Sequence, residues 1–323
     1  MDRSSRDIEW SHLSSLDEKR AAYALETYFR ESLWDARVVL GERLLPILQR
    51  ITLLVFKPEA LVGRRVEGTL RFLADNGFTP IHFRPFAFTR PITREVWRYQ
   101  WNASTLDKID VSTLAFCALP TVLVVLRDDT SPLELPGSVR LKKRKGAAAP
   151  EARAPGTLRS VVSAPNRMIT FVHTTDEPAD VLREPGIYFD RPTRRGFFQD
   201  ILAGFSGDAT AGCRAALAAL EARAPTSDFV PERAWARILE RAGGQTRERL
   251  EAQHARFREA GKVDWEDFHV LCAGLGCDTW DIVSVATAAI DYDDVGHAQL
   301  INFDRGGLAG WLEGRARLVP EAG

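Results

Sequence analysis

The chain is predicted to be α/β, more strictly α+β: a ferredoxin-like split βαβ antiparallel sheet with flanking helices, followed by an α-helical C-terminal region. Three observations lead there. Ile51-Thr-Leu-Leu-Val-Phe56 and Thr121-Val-Leu-Val-Val-Leu126 are continuous apolar, β-branched runs suited to strands covered on both faces. Apolar residues at helical spacing fill the intervals, giving the order strand, helix, strand, helices, strand, long loop, strand, helix. Beyond about residue 191 the texture is helical, punctuated by Gly and Pro. The parts are therefore 1–50, a helical N-terminal extension; 51–190, the sheet domain; and 191–323, a helical C-terminal region.

The sequence runs to 323 residues, 45% of them hydrophobic, enough for a substantial core. Basic and acidic residues number 43 and 44, so no overall field favours nucleic acid or an anionic membrane, and any electrostatic function must be local. Four cysteines, mostly in apolar settings, read as reduced thiols. Met1 to Trp10 is charged and lacks the apolar segment of a secretory signal. The longest apolar run, Leu114 to Leu126, is broken by Pro120 and too short for a membrane span. The expectation is a soluble, cytoplasmic protein.

Taken in order, residues 9–50 place Ala21, Leu25, Tyr28 and Phe29, then Leu40, Leu44 and Leu48, at helical intervals, with Ser15 or Asp17 able to cap the first helix. This extension is expected to serve packing or oligomerisation. The strand at Ile51 ends in Lys57-Pro58, and a lysine there can serve an anion. Leu61 to Asn76 presents an apolar helical face closed by Gly77. Phe78 to Phe88 alternates, with two prolines marking an irregular strand. A helix with Val96, Trp97 and Trp101 follows, then another over about Ser104 to Ala118. Between Arg127 and Leu158 the pattern dissolves into an expected loop. It contains Arg140-Leu-Lys-Lys-Arg-Lys145, a solvated run or one facing a phosphate chain.

Met168 to Phe189 holds the chemistry. A short apolar run delivers His173, followed by two hydroxyls, Asp176, and a helix carrying Glu184. An imidazole nucleophile would be mounted in this way, with a carboxylate to orient it; the alternative is a strand-end histidine merely hydrogen-bonded in a turn.

Four landmarks, in order, resemble the nucleoside diphosphate kinase family. They are Lys57-Pro58-Glu59-Ala60; Pro155-Gly156-Thr157-Leu158-Arg159; His173-Thr174-Thr175-Asp176; and Glu184, eleven residues after the histidine and followed by Ile187, Tyr188 and Phe189. The resemblance covers residues 51–190. It implies that His173 is phosphorylated during turnover, Glu184 orients its ring, Lys57 and Arg159 contact phosphates, and Mg²⁺ arrives with the nucleotide. Thr175 would stand in for a serine hydroxyl near the histidine or Glu184, while Asp176 caps the next helix.

The departures lie among the groups that grip the nucleoside. By count, Thr170 replaces a ribose-binding asparagine, Lys142 a phosphate-binding arginine, Ala148 a threonine and Thr174 a glycine. Trp101 is the nearest candidate for an aromatic surface. Lys for Arg keeps the charge and loses the bidentate fork.

The function expected from the resemblance is therefore transfer of the terminal phosphoryl of a nucleoside triphosphate donor to a nucleoside diphosphate or related acceptor, in a homo-oligomer if the helical additions permit. Two alternatives remain: a kinase of this fold with a specialised acceptor, and a catalytically silent nucleotide-binding module.

In the C-terminal region His269, Cys272 and Cys277 have near-metal spacing, but their apolar neighbours favour packing over zinc. Asp291, Asp293 and Asp294 read as a solvated turn.

Overall fold

The computed structural model describes residues 9–294 and 296–317. Most of the segment read as lacking a secretory signal, and the last six residues of the C-terminal region, lie outside the described residues.

Four strands, β1 (Ile51–Phe56), β2 (Phe78–Phe86), β3 (Thr121–Asp128) and β4 (Val172–Thr174), form one sheet in the order β2-β3-β1-β4, with every neighbouring pair antiparallel. The two continuous apolar runs are its central strands, with Leu53 opposite Val125, and β1 is buried along its whole length. In β2 the register slips between Pro80 and His82, so the irregular strand contains a bulge at Ile81. Strand β4 is short because Phe171 adopts φ 68°, which turns the chain before Val172; the Phe171 carbonyl accepts from the Lys57 N–H at 2.9 Å. His173 therefore lies opposite Val55, beside the end of β1 where Lys57 emerges.

Helices α1 (Asp17–Leu25), α2 (Thr27–Leu40) and α3 (Leu44–Arg50) precede the sheet. Between strands lie α4 (Pro58–Val62), α5 (Val66–Asp75), α6 (Arg90–Val96), α7 (Arg98–Trp101), α8 (Leu106–Phe116), α9 (Gly137–Lys145) and α10 (Leu158–Val161). After β4 come α11 (Pro178–Tyr188), α12 (Arg191–Gly204) and α13 (Thr210–Glu221). The chain continues through α14 (Pro231–Arg241), α15 (Gly244–Ala260), α16 (Trp265–Gly274), α17 (Thr279–Ala289) and α18 (Gly307–Leu312). Among these helices none is long and apolar enough to cross a membrane.

The N-terminal helices pack within the chain: α2 lies on α11 and α12. Gly186 permits that approach, since a Cβ there would meet the Tyr28 carbonyl oxygen at 2.2 Å. Buried Asp35 accepts from Arg194, and Glu26 grips Arg183. One apolar core runs from Leu13 through the sheet to Trp311, and a second gathers around Trp235 and Phe268 from α14 to α17. Buried Cys272 belongs to the second core, and the His269 ring stacks on Trp265.

Three local expectations are corrected. The basic run is not loop but helix α9, started after Pro136 and ended at Gly146 with φ 81°. Neither Ser15 nor Asp17 caps α1, whose N-cap is Leu16, because the Ser15 hydroxyl is taken by Glu177 and the Gly307 carbonyl. Glu177, not Asp176, caps α11 through a reciprocal box with Asp180.

Candidate active site

His173 on β4 and Glu184 on α11 meet across the strand-to-helix turn, with Nε2 of the ring 2.7 Å from Oε1 of the carboxylate. The other carboxylate oxygen accepts the Tyr188 hydroxyl at 2.8 Å. A carboxylate can only accept, so Nε2 carries the ring proton and Nδ1 presents its lone pair. Nδ1 has no hydrogen-bond partner among the described residues. Burial and the Glu184 charge hold the Tyr188 phenol well above its ordinary value, so it remains a donor. The rings of Trp97 and His173 meet in a T-shaped contact, with centroids 5.0 Å apart, and Trp97 in turn stacks on Trp101.

The position of α11 is set by its first turn. Glu177, with its side chain fully buried, accepts from Ser14, Ser15 and the Trp311 indole and pairs with Lys19 at 2.7 Å. Lys19 also holds Asp180, which takes the Tyr23 hydroxyl. Both ends of the chain thus fix the helix that carries Glu184.

His173 opens on a cavity of about 270 Å³, whose walls include Lys57, Lys142, Lys145, Arg159, Gln299 and the segment Ile301 to Asp304. The Lys57 ammonium donates to the Met168 carbonyl at 3.0 Å, pairs with Glu59 at 2.5 Å and lies over the Phe116 ring. Burial pushes its pKa down, with Glu59 opposing. Arg159 reaches the Gly146 carbonyl at 2.8 Å while its buried Nε has no partner; burial lowers its pKa to about 10. Lys142 lies between Asp304, at 3.2 Å, and Asp176, at 3.6 Å. Lys145 donates to the Thr174 hydroxyl at 2.6 Å and stands 3.5 Å from Asp176. Burial, reinforced by Lys142 and Arg159, lowers the Lys145 pKa to about 7. Burial would raise the Asp176 carboxyl, but Lys142, Lys145 and Lys19 together hold it well below the usual carboxylate range.

The structure therefore brings His173, Glu184, Lys57, Arg159, Lys142, Thr170 and Trp101 to one cavity. Thr175 is placed elsewhere. Its hydroxyl meets Thr52 Oγ1 at 2.9 Å and accepts from the Leu53 N–H, so it fastens β4 to β1 rather than serving His173 or Glu184. Asp176, expected as a cap, faces the cations instead.

Sequence reasoning missed Trp97 as a neighbour of the imidazole, and it offered Lys145 only as part of a basic run facing a phosphate chain, without the helix that brings it to the cavity wall. The spacing of Lys142 and Lys145, three apart, would have put both on one face had the run been read as a helix. The acidic turn also reaches the cavity rim, where Asp293 pairs with Arg167 at 2.8 Å and approaches Lys108 at 3.8 Å. Nothing local in the sequence announces that contact, or the return of residues 299–304.

No protein-family model matches the chain, and no curated protein matches it. Among solved structures, it is similar over part of its length to nucleoside diphosphate kinases. That of Aquifex aeolicus is 21% identical, covering 44% of this chain and 95% of that one, with TM-score 0.36. That of Pyrobaculum aerophilum is 15% identical, covering 44% and 96%, with TM-score 0.35. That of Halobacterium salinarum, in complex with CDP, is 16% identical, covering 43% and 87%, with TM-score 0.34.

Proposed function

We propose that this chain is a nucleotide-dependent phosphotransferase that carries the terminal phosphoryl of a nucleoside triphosphate on His173 and delivers it to a nucleoside diphosphate or a related phosphorylated acceptor. The observation that carries the reading is the 2.7 Å contact of Glu184 with Nε2, which leaves Nδ1 unpaired in a cavity walled by cations. The sheet order β2-β3-β1-β4 supports the ferredoxin-like arrangement in which such a site would be mounted.

In the first half-reaction the Nδ1 lone pair forms an N–P bond to the γ-phosphorus. The bond from that phosphorus to the β,γ-bridging oxygen breaks, and the diphosphate leaves with the electron pair. In the second, a terminal phosphate oxygen of the acceptor attacks the same phosphorus and the N–P electrons return to the ring. Glu184 stabilises the positive charge that the ring acquires, and Arg159 and Lys142 offset the charge of the phosphate oxygens.

Mg²⁺ fits this cavity only as a companion of the substrate. Asp180 and Glu184 are committed to other side chains, Asp176 and Asp304 face Lys142, and among the described residues no group of three potential ligands gathers. When bound with the nucleotide it neutralises phosphate charge.

The test is incubation with γ-labelled ATP. Acid-labile label on the wild-type chain that is lost in His173→Ala, while nucleotide binding persists, supports the proposal. Nucleotide binding without label on the wild type would leave a silent binding module.

A further inference from the structure

Helix α9 turns two ammonium groups into the cavity from one face, Lys142 and Lys145. Lys145 is only 4% exposed, yet its partners are the neutral Thr174 hydroxyl and one oxygen of Asp176, a carboxylate it shares with Lys142. Arg159, 9% exposed, lines the same wall with its Nε unpartnered. Among three cations kept largely out of water the sheet domain thus supplies one carboxylate, Asp176, which stands beside the two lysines and acts on Arg159 only at longer range. The second carboxylate, Asp304, comes from the C-terminal segment and reaches Lys142 with a side chain 72% exposed. Buried charge is costly unless matched, and this excess is positive.

We infer that Lys145, seated on the Thr174 hydroxyl, is a ligand for an oxygen of the substrate's polyphosphate chain, and that Asp304 is the carboxylate this chain displaces from Lys142. The inference rests on the phosphotransferase reading for why a phosphate chain enters the cavity. It also accounts for two of the departures from the resemblance. Where the resemblance places a phosphate-binding threonine the chain has Ala148, and where it places a glycine the chain has Thr174, the hydroxyl that seats Lys145.

The charged groups facing Lys145 are Lys142 on its own helix, Asp176 after β4, Arg159 of α10 and Asp304 of the C-terminal segment. With a pKa of about 7 in the free protein, its charge is lost as pH rises through neutrality. An anion favours the protonated form, so binding takes up a proton above that pH and weakens as pH increases.

Calorimetric titration of the full chain with inorganic tripolyphosphate tests this. Lys145→Met should weaken binding roughly tenfold, as expected for one charge-assisted hydrogen bond. The ratio of wild-type to Lys145→Met affinity should shrink between about pH 6 and about pH 8.5, a comparison that cancels the ligand's own titration. Asp304→Asn, at an exposed position, should bind severalfold more tightly. Equal affinity of wild type and Lys145→Met with matching circular dichroism, or a ratio that does not move with pH, would overturn the role of Lys145. Should Lys145→Met fail to fold, an unchanged affinity in Asp304→Asn overturns the displacement. If tripolyphosphate behaves as expected but the wild type takes no label from ATP, the transfer reading falls and the anion site stands.

Discussion

Oε1 of Glu184 lies 2.7 Å from Nε2 of His173, and Oε2 of the same carboxylate accepts the Tyr188 hydroxyl, so one buried side chain sets the tautomer and orientation of the imidazole. Glu184→Gln keeps the shape of the group and removes its charge. Its amide can also present N–H to Nε2, which would favour the other tautomer and tie up Nδ1 as the protonated nitrogen. Single-turnover labelling from ATP is expected to slow on the order of 10²-fold, the lower end of what a positioned acid–base partner contributes. Labelling at the wild-type rate would remove Glu184 from the mechanism.

Arg159 lines the cavity and donates to the Gly146 carbonyl, while its buried Nε has no partner. Arg159→Lys keeps one charge and loses the planar fork that grips two phosphate oxygens. The KM for the donor nucleotide should rise about tenfold, with kcat affected less, because the contact is made in both ground and transition states. A fall confined to kcat would mean that Arg159 acts only on the moving phosphoryl group.

The two central strands were legible because continuous β-branched runs have few other uses, and His173 with Glu184 was legible because strand-to-helix geometry fixes their separation from local spacing. Helix α9 was not. Pro, Gly and a dense cationic run look like a solvated loop, and its two large apolar residues, Val139 and Leu141, stand two apart and so trace no helical period. Thr175 was misplaced for a different reason. It lies just past the end of β4, where the Leu53 N–H and the Thr52 hydroxyl of the neighbouring strand claim its side chain, a cross-strand contact that spacing along the chain does not reveal. The contribution of residues 299–304 depends on tertiary return, which leaves no periodic trace.

Glu177 ties two remote parts of the chain to α11, since Ser15 and Lys19 on one side and Trp311 on the other all bind its carboxylate away from water. Glu177→Ala would strand the Lys19 ammonium with Asp180 alone and leave the indole N–H without its acceptor. Breaking one side of such a buried pair costs about 3–5 kcal/mol, so thermal denaturation should show a fall in Tm of many degrees. Because Glu177 also caps α11, the label taken by His173 should fall at temperatures well below that transition. A variant with wild-type Tm would show that the network contributes little to stability.

Lys145 yields the opposite expectation for stability. Its pKa is about 7 folded and near the ordinary lysine value unfolded, so between those limits the unfolded chain binds more protons than the folded one. Its contribution therefore opposes folding at neutral and lower pH and fades as pH rises from about 7, vanishing only above the ordinary lysine value, where both states are neutral. Lys145→Met replaces a buried ammonium by an apolar chain of similar length. It should raise Tm at about pH 6.5, by an amount worth a few kcal/mol, and the gain should shrink as pH is raised toward about 10. Asp176 limits the gain, because the variant leaves its carboxylate with Lys142 as the nearer cation. Parallel melts of wild type and variant across that range decide the matter. A variant less stable than wild type at about pH 6.5 would mean that the Thr174 and Asp176 contacts outweigh the desolvation of Lys145.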